Sequence, residues 1–236
     1  MRLIAWNANY NNRPRSLEET VALLEPLKPD LLVLSEIAPP SKSNPLSAHW
    51  VGGAAPGLAV ITLDNFDITP HPANEGAPPL VGGFSVRGRI DFDLLAAWPV
   101  KTRDMSTYHQ ILMSTLDRFS DFLSSGTTIL AGDLNSSTRV SGQGVSHPQF
   151  VNRAQSMGLV SAYHTLTGES HGEETTATYL HGPKESDRFH IDYCLIPEQL
   201  IPNARLEILE GGYWEKLSDH FPLVLDITDD ALASLP

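Results

Sequence analysis

Short apolar runs recur along the chain and stop on polar or glycine-containing steps. The runs at 3–6, 31–34, 58–62, 84–86, 94–97, 128–131, 191–196 and 223–227 read as strands. Residues 31–34 (LLVL) are continuously apolar, the pattern of a strand buried on both faces. Two segments have helical spacing instead. Ser16 opens Ser-Leu-Glu-Glu with Glu19 three residues on, a capping box, and Leu17, Val21 and Leu24 then share one face until Pro29 ends the helix. From Tyr108 to Leu123 the positions Ile111, Leu112, Thr115, Phe119, Phe122 and Leu123 repeat at the helical period. Residues 37–57 and 70–83 are rich in Pro, Gly and Ala and read as loops. Strands outnumber helices, so two packed sheets with helices outside fit better than one doubly wound parallel sheet. With no repeat and no long polar linker, the expectation is a single domain over residues 1–236.

The polar residues that end these runs fall in an ordered way. The first strand ends at Asn7, the next at Glu36, the run through Leu94 at Trp98, and "ILAGDLN" at Asp133 and Asn135. His190 and Asp192 instead begin a strand, and Asp219 and His220 directly precede one. If all six positions share one rim, the last two strands run antiparallel to the first four. Alternation along a strand would put Asp133 and Asn135 on one side. Singly, Asp and Asn at strand ends are ordinary turn residues. Glu36 is harder to dismiss, because a carboxylate set against a core is expensive without a partner, and a bound cation would compensate it.

Composition changes this picture modestly. A formal net charge of −12 weakens any bulk affinity for polyanions without excluding a nuclease. The lone Cys194 excludes an internal disulfide and lies in an apolar run, as a small core residue would. The segment MRLIAWNANY lacks a signal-peptide core and no run reaches membrane-spanning length, so the expectation is a cytoplasmic monomer with no membrane partner. The chemistry that uses such a rim is phosphoester hydrolysis with Mg²⁺, or Mn²⁺ in its place, held by oxygen ligands. Glu36 is the main expected ligand, with Asn7, Asp219 or both beside it. Asp133 suits orienting or deprotonating the attacking water, and Asn135 suits a phosphate oxygen. His220 suits hydrogen bonding to phosphate or acid–base work, with Asp192 fixing its tautomer.

At these residues the sequence resembles the endonuclease/exonuclease/phosphatase superfamily, the exonuclease III and deoxyribonuclease I group. The resemblance rests on "IAWNAN", "PDLLVLSE", "LAGDLN", "HIDYCLI" and "LSDHFPL", with "APGLAVIT" and "TATY" in support, in family order across nearly the whole chain. It implies a four-layer α/β/β/α sandwich of two mixed sheets flanked by helices, and a divalent-metal phosphodiester hydrolase with a rim where the sheets meet. DNA is the leading substrate. A phosphodiesterase or phosphatase for a small or lipid phosphoester is the alternative, and a non-catalytic binding or scaffold protein the reading from another class.

Two positions depart from the resemblance. Trp98 stands where relatives that cut at abasic sites commonly carry Tyr and others His. It either stacks on a base or sugar, worth on the order of 1–3 kcal/mol, or packs under the rim. His190 stands where many relatives carry Arg. Arg139 is a candidate substrate contact, and with Arg13, Arg15, Lys184 and Arg188 it would form a cationic collar. His164, His171, His181 and His190 match no standard zinc spacing, and most are expected to be solvated loop residues.

Overall fold

The computed structural model describes residues 1–41, 47–53, 55–63 and 66–236. In chain order its strands are β1 (Arg2–Asn7), β2 (Leu31–Ile37), β3 (Ser47–Val51), β4 (Gly57–Thr62), β5 (Asp67–Pro70), β6 (Val81–Arg87), β7 (Phe92–Ala97), β8 (Thr128–Asp133), β9 (Leu159–Ser161), β10 (Tyr179–Leu180), β11 (Arg188–Phe189), β12 (Asp192–Pro197), β13 (Ala204–Ile208) and β14 (Leu223–Ile227). Its α-helices are α1 (Leu17–Leu24), α2 (Tyr108–Arg118), α3 (Ser120–Leu123), α4 (Ser146–Gln155), α5 (Ala162–Thr167) and α6 (Asp229–Ala233).

Each of the eight apolar runs forms a strand, because each supplies one or two faces to a core. One six-stranded sheet has the order β13-β14-β1-β2-β4-β3, the other β5-β6-β7-β8-β12-β9. Leu3, Ala5, Leu31, Val33 and Leu58 of the first pack on Phe84, Leu94, Ala96, Ile129 and Cys194 of the second. The outer face of the first sheet (Ile4, Trp6, Leu32, Leu34) is covered by Leu17, Val21 and Leu24 of α1. The outer face of the second (Leu95, Leu130, Tyr193, Leu195) is covered by Leu112, Leu116, Leu123 and Phe150. These four layers are the α/β/β/α sandwich, with both sheets mixed. β1 and β2 are parallel, as are β7 and β8, while β14 runs antiparallel to β1 and β12 to β8. The reversal of the last two strands therefore agrees with the chemical ordering of the rim residues.

The capping box forms as read, with Glu19 N–H donating to Ser16 Oγ and Ser16 N–H to Glu19. The helix ends earlier than Pro29, however. A tight turn at 25–27 leads into Lys28 at φ 54°. The Tyr108–Leu123 segment is two helices, interrupted at Phe119 (φ −104°, ψ 20°). Within the expected loops 37–57 and 70–83, positions 37, 47–51, 57, 70 and 81–83 are strand instead. β3 is half-exposed and lies at a sheet edge, so it lacks a continuous apolar signature. Residues 42–46 and 54 of that reading lie outside the described residues.

Candidate active site

The rim is built where β1, β2 and β8 end, β12 begins and the turn before β14 passes. Register fixes the first pair, since Asp192 of β12 stands opposite Asp133 of β8. Asn7 links the two sheets. Its amide donates to Asp133 Oδ2 at 2.9 Å and to Glu36 Oε1 at 3.3 Å. Its Oδ1 accepts from Asn9 N–H at 3.0 Å, and the residue is 1 % exposed. The expected metal ligand Asn7 thus has its oxygen engaged by backbone, and its amide holds two carboxylates together.

His220 closes the group. Its Nδ1 lies 2.9 Å from Asp192 Oδ2, and its Nε2 lies 3.9 Å from Asp133 Oδ2, too far for a direct hydrogen bond. Trp6 Nε1–H donates to His220 O, and Ser218 Oγ accepts from His220 N–H while donating to Asn7 O. Asp219 follows Ser218, and its charge works on both Glu36 and His220 from the same rim.

The backbone is strained where it aims these groups. Asn9 (φ 52°), Glu36 (φ 47°) and Asn135 (φ 52°) are non-glycine residues in the left-handed region. At Glu36 the pairing of β2 with β4 shifts register between Leu34 and Ile37, a bulge that turns the carboxylate to the rim. The alternation argument for Asp133 and Asn135 is corrected here. β8 ends at Asp133, Leu134 N–H donates to Ile191 O, and Asn135 N–H turns back to Asp133 Oδ1 at 2.9 Å. A local turn, not strand alternation, sets the two residues side by side.

Burial and mutual repulsion shape the electrostatics. Burial, reinforced by Asp192, pushes the Asp133 carboxyl up to about 7. Burial works against a charged His220, but Asp192 and Asp133 outweigh it and raise the imidazole to about 9. Burial also raises Glu36, against the hydrogen bond from Asn7. Glu36 and Asp219 are half-buried and offer carboxylate oxygens at the open edge. Asp133, Asp192 and His220 are deeper, with ligand atoms within 4.8 Å of one another. This oxygen-rich donor set fits a hard divalent cation, which Glu36 and Asp219 would hold.

Several contributors were not singled out by the sequence as site residues. The Tyr179 ring centroid is 4.5 Å from that of His220. Tyr108, at the start of α2, is raised by burial and by the charges of Asp133 and Glu36. Thr178 is fully buried, and its Oγ1 accepts from Ile191 N–H (2.9 Å) and Asp192 N–H (3.0 Å). Thr178→Val keeps the shape and strands two buried donors. It is expected to cost about 2–6 kcal/mol in a urea melt, at roughly 1–3 kcal/mol per unsatisfied group.

The substrate candidates fare differently. Trp98 is 6 % exposed and packs within the core between the sheets, so of its two readings the packing one matches its placement. Arg139 is exposed and lies over the Phe189 ring at 5.9 Å. Arg188 is paired with Glu185 and Glu210, and Arg15 donates to Ala8 O and covers Trp6. The collar is thus partly engaged in other contacts. The solvated-histidine reading is also corrected. His164 and His190 are buried and His171 half-buried; His181 is exposed. No helix among the described residues is long and apolar enough to cross a membrane.

No family model matches the chain, and no curated protein matches it in sequence. Solved structures match its fold over nearly their full length. A 3′ phosphatase, NExo, from Neisseria, bound to product DNA hairpin, superposes with TM-score 0.74 at 18 % identity, covering 97 % of this chain and 99 % of that one. An AP endonuclease from Archaeoglobus fulgidus gives 0.71 at 16 % identity, covering 96 % and 99 %. The endonuclease domain of TRAS1, a telomere-specific non-LTR retrotransposon, gives 0.68 at 15 % identity, covering 97 % and 98 %. The fold is the deoxyribonuclease I-like sandwich.

Proposed function

We propose that this chain is a divalent-metal-dependent phosphodiester hydrolase acting on DNA. The observation that carries the reading is the continuous chain Glu36–Asn7–Asp133 beside His220–Asp192, drawn from both sheets onto one rim. The neighbours in fold, named as a DNA 3′ phosphatase, an AP endonuclease and a retrotransposon endonuclease, favour DNA among phosphoesters.

In this reading a Mg²⁺ ion held by Glu36 and Asp219 would polarise a phosphoryl oxygen and neutralise transition-state charge. Asn7 bridges Glu36 and Asp133 at fixed spacing, and the amide hydrogens between them offset their repulsion. Asp133, a carboxylate of near-neutral pKa, orients the attacking water and takes its proton. His220, charged and held through Nδ1 by Asp192, presents Nε2–H to a phosphate oxygen across the 3.9 Å gap to Asp133. Asn135 places its amide beside the same phosphate.

A second reading, hydrolysis of a small or lipid phosphoester, is favoured by the net charge of −12 and by the pairing of Arg188 with two glutamates. The test incubates the chain with Mg²⁺ and plasmid, single-stranded or abasic-site DNA, with EDTA, Glu36→Ala and His220→Ala as controls. Cleavage lost in all three controls is the expected result. Phosphate released only from small esters would move the assignment to the second reading. A folded protein inert on every phosphoester and binding no metal would make the chain a scaffold on this fold.

A further inference from the structure

Behind the rim, on the far side of β12, four histidines and a glutamate gather from distant segments. They are His147 on α4, His164 on α5, His171 and Glu174 in the segment after α5, and His190 before β12. The ligand atoms of His164, His171 and Glu174 lie within 4.8 Å of one another. We infer that His164, His171 and Glu174 form a second metal site, for a Zn²⁺-class transition ion, distinct from the hard-cation site at the rim.

One set of tautomers in the hydrogen bonds around the cluster leaves an imidazole lone pair on each of His164 and His171 for a cation. His164 Nδ1 is 2.8 Å from Ser161 Oγ, so with that nitrogen donating, Nε2 keeps its lone pair. Nε2 then faces Glu174 Oε1 at 3.1 Å, close to the ~3.3 Å separating two ligands of one tetrahedral zinc. His171 Nδ1 is 3.0 Å from His147 Nε2, and His147 Nδ1 is 2.8 Å from Ser136 Oγ. With each Nδ1 donating along that relay, His171 Nε2 is left free. Both histidines thus have the outer partners that fix tautomer and ring orientation in metal sites.

Two further atoms are left unsatisfied. Glu174 Oε2 and His190 Nε2 are buried with no hydrogen-bond partner among the described residues, although the Glu174 side chain is 2 % exposed and His190 is 1 % exposed. His190 Nδ1 is committed to Thr176 O, and its ring centroid lies 5.2 Å from that of His164. Bare polar atoms in such burial are costly, and a cation among them removes that cost. A cleft of about 210 Å³ lined by Phe150, Leu159 and Leu195 ends on His164 and His171 and gives the ion an entry path. Two imidazoles and one carboxylate suit zinc better than Mg²⁺, whose ligands are oxygens.

The consequence is structural. The ion ties α5 to the segment 169–176 that precedes Thr178, the residue supporting Asp192. The relay through His147 reaches Ser136, beside Asn135.

The test strips the full chain with chelator, adds excess Mg²⁺, then titrates Zn²⁺ against a chromophoric competitor. Native mass spectrometry counts the ions, and hydrogen exchange follows residues 169–177. One Zn²⁺ per chain, undisplaced by Mg²⁺ and protecting 169–177, is expected. Binding should be lost in His171→Asn and Glu174→Gln, weakened roughly 10–100-fold in His147→Gln, and retained in Asp133→Asn. The site is overturned if the wild-type chain takes up no Zn²⁺, or if binding disappears with Asp133→Asn because the ion sits at the rim. Should His171→Asn fail to fold, Glu174→Gln, checked by circular dichroism, decides: a folded chain that still binds one Zn²⁺ rejects the assignment.

Discussion

Asp133→Asn should lower kcat by roughly 10²–10⁴-fold, the range for removing a positioned general base. The substitution keeps the planar shape at the end of β8 and the Oδ1 that accepts Asn135 N–H. It removes the one carboxylate that faces both Asn7 and His220 Nε2. Asn7 Nδ2 loses its acceptor, and removal of the buried charge offsets that loss. Burial and Asp192 both disfavour the charged form of Asp133, so its folded-state pKa lies above the unfolded value. Such a group lowers stability as pH rises from the unfolded carboxylate range through about 7. The neutral Asn variant in EDTA at pH 8 should therefore melt no lower than the wild type. A large fall in kcat with an unchanged or raised Tm is the expected pair of results. An unchanged kcat would remove Asp133 from the mechanism, and a lowered Tm would mark it as a structural group.

Gly132→Ala should destabilise the fold by on the order of 4 kcal/mol, combining left-region backbone strain with overpacking. Gly132 has φ 140°, a conformation that side chains rarely adopt. A Cβ there would also sit 2.1 Å from Ala97 O of the parallel neighbour β7. Neither β7 nor β8 can retreat, because β8 is clamped on its other side by β12, where Tyr193 stands opposite Gly132. At about 2–4 °C per kcal/mol for a chain of this size, Tm should fall by about 8–16 °C. The shift would also displace Asp133, so activity should drop in the molecules that remain folded. A melt within about 2 °C of the wild type would show that the approach of Ala97 is not binding on the structure.

Much of the rim was legible in the sequence because Asn7, Glu36 and Asp133 end apolar runs and Asp192, Asp219 and His220 stand at the start of others, and an apolar run is a local signal. Glu36 after LLVLS and Asp133 after ILAG are polar residues placed where the chain leaves a core, and both stand at the rim. Thr178 was not legible. Its hydroxyl matters because two backbone donors from β12 arrive above it, and nothing in "TATY" announces them. Asn7 ends an apolar run, but the hydrogen bond that its oxygen accepts from Asn9 N–H is decided by a left-handed turn at Asn9 that no local pattern announces. The histidines 147, 164, 171 and 190 have no recognisable spacing because they come from two helices and two connecting segments.

By itself, then, the sequence determined the eight apolar strands of the core, where α1 is capped and which polar groups stand at their ends. Hydrophobic period and capping are settled among residues within about a turn or two of each other. The tertiary structure alone decided which atoms face which. Asn7 meets Asp133 across 126 residues of chain and His220 meets Asp192 across 28. Such encounters depend on sheet order, register and bulges, and these are fixed by packing two sheets and their helices together, not by any one stretch of sequence.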